Sequence, residues 1–209
     1  MSHKCDEIHK VFNSFKRHKF PFDKEDIPKN GIYILFEKGE TAHGGDRIVR
    51  VGTHTGDNQL RSRLNQHFLK QNKDRSIFRK NIGRALLNKN GDDYLQYWEF
   101  DLTSRENKVK YSHLINKDYQ QQIEDEVTKV INNQFSFVVI EENDKDARLS
   151  YESKLVSEIS NCNECSSSPN WLGMSSTKDK IKDSGLWQLN ELYKEGFTES
   201  QFSEFKQKL

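Results

Sequence analysis

The stretch GIYILFEKGETAHGGDRIVRVGTH, residues 31–54, decides the fold prediction. Two runs rich in branched apolar residues, 31–36 and 47–53, flank the turn-forming sequence Gly44-Gly45-Asp46. Such a pattern predicts an antiparallel hairpin. The stretch also carries a phenol and several cationic side chains, those of Tyr33, Arg47, Arg50 and His54. A hairpin lined with cations is suited to attract a polyanion and to activate a phenol.

Apolar periodicity predicts the elements around this hairpin. Helices are expected at 5–20, 59–71, 76–88, 118–132 and 147–160, strands at 94–100 and 135–140, and two short helical stretches on either side of Gly196. Ser76 is the predicted N-cap of the helix that it opens. The pattern predicts one α+β domain with a small, mainly antiparallel central sheet flanked by helices. We expect a helical extension at 1–28, a central domain at 29–180 and a helical tail at 181–209 packed on that domain.

Composition narrows the class of protein. The 209 residues are 33% hydrophobic and 31% charged, and they include thirteen Phe, seven Tyr and three Trp. This aromatic content argues against a disordered chain. The sequence has no apolar run that approaches the roughly 18 residues of a membrane span, and its first residues lack the apolar region of a signal peptide. We therefore expect a cytoplasmic protein without a membrane partner.

Charge is distributed unevenly along the chain. The formal net charge is only +1, but residues 47–89 contain eleven Lys or Arg and two acids, whereas residues 101–164 contain eight basic and thirteen acidic residues. A basic block in a nearly neutral chain indicates a localised polyanion site. The alternative is a set of ordinary solvated helix faces.

The three cysteines, Cys5, Cys162 and Cys165, form an odd set. That number favours reduced thiols over a disulfide framework. A sharper alternative is a zinc site in which His3 and Cys5 join Cys162 and Cys165, provided that the two ends of the chain meet.

Glu152 breaks the pattern of its predicted helix, because it falls on the apolar stripe formed by Leu149, Leu155, Val156 and Ile159. A carboxylate on an inward face is costly unless it is paired, protonated or bound to a cation. Glu152 therefore either forms an ion pair with a neighbouring Arg or Lys or binds a metal ion.

Two other positions offer chemistry suited to a phosphate. Arg63 and His67 lie four residues apart and share a helix face, and a guanidinium beside an imidazole can bind and neutralise a phosphate. Tyr33 lies in mid-strand, where it is either a packing residue or a phenol whose pKa is lowered by neighbouring cations.

Five short motifs follow one another along the chain, each on a predicted element that suits it. They are Gly31-Ile32-Tyr33, Arg50-Val51-Gly52-Thr53, Leu60-x-x-Arg63-Leu64-x-x-His67, Tyr151-Glu152-x-x-Leu155-Val156 and Ser168-Pro169-Asn170-Trp171-Leu172-Gly173. In this order they resemble the GIY-YIG nuclease superfamily. The resemblance spans residues 31–173 and implies a metal-dependent endonuclease with one divalent cation in its active site.

The resemblance also implies roles for individual residues. Glu152 would hold the cation, expected to be Mg²⁺ with Mn²⁺ able to substitute, and Arg63 would bind the phosphate. His67 would assist through a hydrogen bond or proton transfer, Tyr33 would deprotonate or position the attacking water, and Asn170 would orient its neighbours. DNA is the expected partner, RNA stays open, and double-strand cleavage would need two active sites, for example in a homodimer. The residues expected to contact nucleic acid are Arg47, Arg50, His54, Arg61, Arg79, Lys80 and Arg84.

One departure from the superfamily pattern leaves two alternatives. Arg50 replaces the tyrosine of the second signature, and a guanidinium cannot act as a base. Either Tyr33 carries that role beside Arg50, which we favour because Glu152, Arg63 and His67 are retained, or the chain is a non-catalytic nucleic-acid-binding module.

Two further enzyme classes fit less well. Glu152-x-Lys154 matches a motif of another nuclease class, but there it lies on a strand, and here the pattern is helical. An enzyme acting on small metabolites is disfavoured because the sequence has no Gly-rich phosphate loop.

Overall fold

The computed structural model describes residues 3–209. In that range the helices are α1 (His3–Ser14), α2 (Leu60–Phe68), α3 (Ile77–Lys89), α4 (Leu95–Trp98), α5 (Arg105–Tyr111), α6 (Lys117–Gln134), α7 (Lys145–Ser160), α8 (Asp179–Ser184) and α9 (Glu199–Gln207). The strands are β1 (Gly31–Ala42), β2 (Gly45–Gly52) and β3 (Phe135–Glu141). Short 3₁₀ turns occur in the connections.

Within the described residues the sheet has three strands in the order β2-β1-β3, and both pairings are antiparallel. Tyr33 in the central strand lies opposite Gly52 on one side and Val139 on the other. The prediction of an α+β fold with a small antiparallel sheet flanked by helices is confirmed.

Helices cover both faces of the sheet, because successive side chains of a strand point to opposite faces. Tyr33, Leu35 and Val49 belong to the apolar cluster that contains buried residues of α2, α3 and α6. Ile32, Ile34 and Val51 belong to a second cluster, with residues of α1, α7 and α9. The N-terminal and C-terminal helices therefore complete the core on the second face.

Side-chain caps fix the start of several helices. Ser76 accepts a hydrogen bond from the backbone amide of Arg79 at the start of α3, as predicted. Asp144 caps α7 in the same way, and Thr198 forms a capping box with Gln201 at the start of α9. These caps satisfy amides that have no partner inside the helix.

The structure corrects the prediction of a strand at 94–100. Residues Leu95–Trp98 form the single turn of α4, and the Trp98 indole donates a hydrogen bond to the Lys80 carbonyl at 3.0 Å. The apolar alternation of this stretch arises because Trp98 packs directly on Gly83 of α3, where even a methyl group would collide with the indole.

One helix boundary, one additional helix and part of the C-terminal tail also differ from the prediction. The first helix ends at Ser14, because the chain then turns to pair His18 with Phe137 of β3. Helix α5 was not predicted. In the tail, α9 follows Gly196, but residues 185–195 contain turns and bends in place of the expected helical stretch. Across the part of the chain described here, the helices are too short or too polar to cross a membrane.

Candidate active site

A cleft of about 580 Å³ opens beside the end of β2. Its walls come from β2, α2, the start of α3, α7 and the segment after α8: Arg50, Arg63, Ile77, Leu149, Glu152, Gln188, Leu189, Asn190 and Glu191. Residues that are far apart in the sequence are therefore brought together here, among them the three predicted site residues Arg50, Arg63 and Glu152.

Glu152 is a largely buried carboxylate in this cleft, and burial raises its pKa. The positive charge of Arg50, a hydrogen bond from the Thr53 backbone amide and the charge of Arg63 each oppose that rise, whereas the nearby Glu191 carboxylate adds to it. Burial destabilises the charged form of a carboxylate, and a bound cation would compensate for this loss of hydration. Carboxylate oxygens are ligands that Mg²⁺ prefers, so the Glu152 side chain fits a divalent cation.

Arg50 and Arg63 supply positive charge without a carboxylate partner. In the described chain the ion pairs of arginine involve Arg17, Arg47, Arg61, Arg79 and Arg84. Arg63 Nη1 instead donates to the Gln66 side chain at 3.0 Å and to the Arg75 carbonyl at 3.2 Å. Arg50 donates to the Trp187 carbonyl. Neither guanidinium is neutralised by an ion pair in the described chain, but Arg50 is only 6% exposed, so Arg63 is the more accessible of the two cations in the cleft.

Tyr33 and His67 lie behind the cleft wall, where both are fully buried. The Tyr33 hydroxyl is 2.8 Å from His67 Nε2 and 3.5 Å from Arg50 Nε. A side chain at Gly52 would collide with that hydroxyl, since its Cβ would lie 2.3 Å from the Tyr33 oxygen. Glycine at position 52 is thus required by the phenol that packs against it.

His67 is held as a neutral imidazole. Its pKa is lowered well below the ordinary value by burial and by the charges of Arg63, Arg50 and Arg79. Its second nitrogen, Nδ1, lies 2.7 Å from the Ser76 hydroxyl. Because both ring nitrogens have partners, the ring holds the Tyr33 hydroxyl in place.

The C-terminal segment reaches the cleft by pairing with the edge of β2. The Trp187 amide donates to the Val49 carbonyl at 2.8 Å, and the Val51 amide donates to Gln188 Oε1 at 2.7 Å. These bonds place Asn190 and Glu191 in the cleft wall. Sequence reasoning missed Gln188, Asn190 and Glu191, although the polar residues that alternate with apolar ones after Trp187 were an available signal.

Asn170 is not brought to this cleft. It is exposed, and its neighbours Ser168 and Trp171 bond to the carboxylates of Glu40 and Glu37, further along β1. Glu37 also accepts a hydrogen bond from the Trp187 indole at 2.8 Å. The motif around Asn170 therefore lies on the part of the sheet that anchors the C-terminal segment.

Most of the predicted nucleic-acid contacts are buried. Arg47 pairs with Glu40, Arg79 with Glu124 and Arg84 with Glu99, and Lys80 donates to the Glu99 carbonyl. Each of the four basic residues is less than a tenth exposed. This corrects the expectation that Arg47 and the basic residues of α3 face nucleic acid, since their charges are used inside the protein.

His54 and Arg61 differ in their surroundings. His54 accepts a hydrogen bond from the Gly31 amide at 3.2 Å and lines a second depression of about 310 Å³, which shares Arg63 with the cleft. Arg61 is partly exposed and pairs with Glu25 at 2.9 Å. His54 thus borders the candidate site, and Arg61 lies on the side of α2 that faces residues 24–27.

Comparison with protein families gives a match that covers nearly the whole chain. A family model described as GIY-YIG domain matches residues 5–209. The match includes all three strands and extends from α1 to α9. Comparisons with curated proteins and with solved structures give no match.

Proposed function

Because the chain belongs to the GIY-YIG family, whose members are in general nucleases, we propose that it is a metal-dependent endonuclease that hydrolyses DNA phosphodiester bonds. The observation that carries the proposal is the cleft in which Glu152 of α7 faces the two unpaired guanidiniums of Arg50 and Arg63. Metal-dependent phosphodiester hydrolysis requires a carboxylate that can bind the cation and positively charged groups that can bind the phosphate, and the cleft offers one carboxylate and two guanidiniums for these roles.

Glu152 would hold a divalent cation, Mg²⁺ with Mn²⁺ able to substitute. Such a cation polarises the scissile phosphate and stabilises the leaving oxygen. Glu191 places a second carboxylate in the same wall, and its pKa is lowered by hydrogen bonds from Lys194 and Ser153. The cleft therefore offers oxygen ligands to a cation beside the two cationic groups that would bind the phosphate.

Arg63 is assigned to the phosphate. Its side chain lines both the cleft and the neighbouring depression, so a nucleic-acid backbone that follows the two would pass over it. A guanidinium can donate two parallel hydrogen bonds to phosphate oxygens and neutralise the charge that develops in the transition state. Arg50, which also lines the cleft, supplies a second guanidinium.

Tyr33 and His67 are assigned to positioning. The Tyr33 hydroxyl is buried and lies behind Arg50, with which it is in contact at 3.5 Å. The neutral imidazole of His67 fixes the hydroxyl from the other side at 2.8 Å. This pair therefore orients the Arg50 guanidinium, and Gln188 and Asn190 take the orienting role first assigned to Asn170.

The test is an incubation of the full chain with supercoiled DNA in the presence of Mg²⁺, Mn²⁺ or a chelator. We expect metal-dependent nicking, its loss in Glu152→Gln, and its retention in Asp146→Asn. Asp146 is the matched control, since it lies on the same helix but is exposed and outside the cleft. Nicking that survives Glu152→Gln would contradict the proposal.

A second candidate function is a non-catalytic module that binds nucleic acid in the same cleft. It is favoured by the arginine at position 50, which cannot accept a proton, and by the burial of Tyr33. Tight binding of DNA or RNA by the wild-type chain, with no cleavage of either at any metal concentration, would select this alternative.

A further inference from the structure

Three cysteines and one histidine from distant parts of the chain meet beside the sheet face that α1 and α7 cover. Cys5 lies in α1, His43 lies in the turn between β1 and β2, and Cys162 and Cys165 lie in the turn after α7. The Cys5 and Cys165 sulfurs are 3.3 Å apart. His43 Nε2 is 3.2 Å from the Cys165 sulfur and 3.5 Å from the Cys162 sulfur.

We propose that Cys5, His43, Cys162 and Cys165 form a structural zinc site. Tetrahedral zinc with ordinary bond lengths places two sulfurs about 3.8 Å apart, and a sulfur and a nitrogen about 3.6 Å apart. The three distances lie within about half an ångström of these values. Three cysteines and one histidine make a closed ligand set typical of structural zinc, with no position left for substrate. The site is separate from Glu152 and needs no nuclease activity.

The surroundings of the four residues favour a metal. His43 Nδ1 lies 3.7 Å from a carboxylate oxygen of Asp6 and 3.7 Å from one of Glu164. At this distance the carboxylates attract the Nδ1 proton electrostatically and not through a hydrogen bond, and they favour the tautomer that leaves Nε2 free to bind zinc. The Glu164 backbone amide also donates a hydrogen bond to the Cys162 sulfur in the turn between Cys162 and Cys165.

The backbone conformation of the hairpin turn explains how His43 reaches the cysteines. His43 has a φ of 53°, in the left-handed region that few residues other than glycine adopt. Gly44, the other residue of this two-residue loop, has a φ of 76°. Two-residue hairpin loops favour left-handed conformations at both positions, and the turn thereby places the His43 imidazole at the tip of the hairpin beside the cysteines.

His9 lies in the same cluster but is excluded from the ligand set. Its Nδ1 is 3.0 Å from the Cys5 carbonyl, and its Nε2 accepts a hydrogen bond from the Ile48 amide at 3.2 Å. Both nitrogens are therefore engaged with the backbone, and they also lie 3.6 Å from the Cys5 sulfur and 3.9 Å from the Cys165 sulfur, which makes His9 a neighbour of the ligands within the same cluster. The ring packs against His43 with a centroid distance of 4.8 Å, which positions the ligand.

The structure also settles which histidine joins the cysteines. The sequence offered His3, but His3 is exposed and its Nδ1 is 2.9 Å from a Glu7 oxygen. The hairpin turn supplies His43 instead. A zinc ion held this way would tie together α1, the tip of the β1–β2 hairpin and the end of α7, three segments that are distant in the sequence.

The first test is metal analysis of the full chain, purified without chelators and, separately, stripped and reloaded with Zn²⁺. We expect one zinc per chain in both preparations. Co²⁺ in place of Zn²⁺ should give the visible bands of a tetrahedral ion together with sulfur-to-cobalt charge-transfer absorption. Failure of the folded wild-type chain to take up zinc, or a cobalt spectrum without charge transfer, would overturn the proposal whatever the nuclease assay shows.

Variants identify the ligands. His43→Asn and Cys162→Ser should each weaken zinc binding at least tenfold in competition with a chromophoric chelator. The matched control is His113→Asn, which removes an exposed histidine in a 3₁₀ turn outside the cluster and should keep one zinc with wild-type affinity. Circular dichroism verifies that each variant is folded. Wild-type zinc affinity in folded His43→Asn would refute the ligand set.

Discussion

Two pairs of arginines in the basic block at 47–89 differ in whether an acidic side chain neutralises them. Arg79 and Arg84 of α3 are buried in ion pairs with Glu124 and Glu99. Arg50 and Arg63 line the cleft beside Glu152 with no ion pair in the described part of the chain. Arginines from the same part of the sequence therefore have different roles. The role depends on whether the fold brings a Glu side chain within ion-pair distance of the guanidinium.

The contrast between these arginines shows how the acidic and basic parts of the sequence interact in the fold. Glu124 belongs to the acidic stretch at 101–164, and in the fold α6 brings it against α3, where Arg79 Nη2 reaches its carboxylate at 2.6 Å. Much of the basic block is thus neutralised within the protein. The basic residues of the block without an ion pair in the described chain are Arg50, Arg63, Lys70, Arg75 and Lys89, and of these Arg50 and Arg63 line the cleft beside Glu152.

The largest effect is expected at the paired arginines. Arg79→Met should lower the free energy of unfolding by about 3–5 kcal/mol, because it leaves the Glu124 carboxylate buried without its partner. Urea denaturation followed by circular dichroism measures the loss. The double variant Arg79→Met/Glu124→Met should recover most of it, since it removes both charges. A single variant as stable as the wild type would break the comparison, because Arg79 would then carry no buried pair.

A loss of activity with little loss of stability is expected at the cleft. Arg63→Ala should reduce the rate of DNA nicking by about 10²–10³-fold, the usual effect of removing one donor that stabilises transition-state charge. The free energy of unfolding should change by less than about 1 kcal/mol, since no ion pair is broken. Single-turnover nicking and urea denaturation separate the two effects. Unchanged nicking would remove Arg63 from the phosphate site.

The sequence pattern within a single helix or strand was enough to predict which of its side chains share a face. The strand alternation at 31–36 and the helical spacing of Arg63, His67 and Glu152 fix which face each side chain takes, and the structure brings Arg63 and Glu152 to one cleft. The burial of Arg79 could not be predicted in that way. Its partner is 45 residues away in the sequence, and only the packing of α6 on α3 joins them.

The positions of irregular segments could not be predicted from the sequence either. The residues from Trp187 to Glu191 form neither a helix nor a strand, and their place in the cleft depends on hydrogen bonds to the edge of β2. His43 likewise meets the cysteines through a turn whose direction is set by a left-handed residue. In both cases a tertiary contact selects the conformation, and a short sequence window does not contain that contact.

A pH dependence sharpens the assignment of Glu152. Burial raises its pKa, so the protonated form is favoured in the folded chain, and this contribution to stability is lost as the pH rises through the raised pKa. Glu152→Gln should therefore be inactive yet more stable than the wild type at pH 7. The stability difference should shrink toward pH 4, where the wild-type carboxyl is protonated. Thermal melts at the two pH values measure it, and a variant less stable than the wild type at pH 7 would show that the carboxylate is already well paired.

The smallest effect is expected at Arg61, two residues from Arg63 on the same helix. Its guanidinium pairs with Glu25, which is mostly exposed, and an exposed pair of this kind contributes about 0–1 kcal/mol. Arg61→Ala should therefore change the free energy of unfolding by no more than about 1 kcal/mol and leave DNA nicking within a few-fold of the wild type. The same denaturation and nicking assays apply. A loss as large as that of Arg63→Ala would mean that nucleic acid follows the face of α2 toward residues 24–27, and the unpaired arginines of the cleft would no longer define the site.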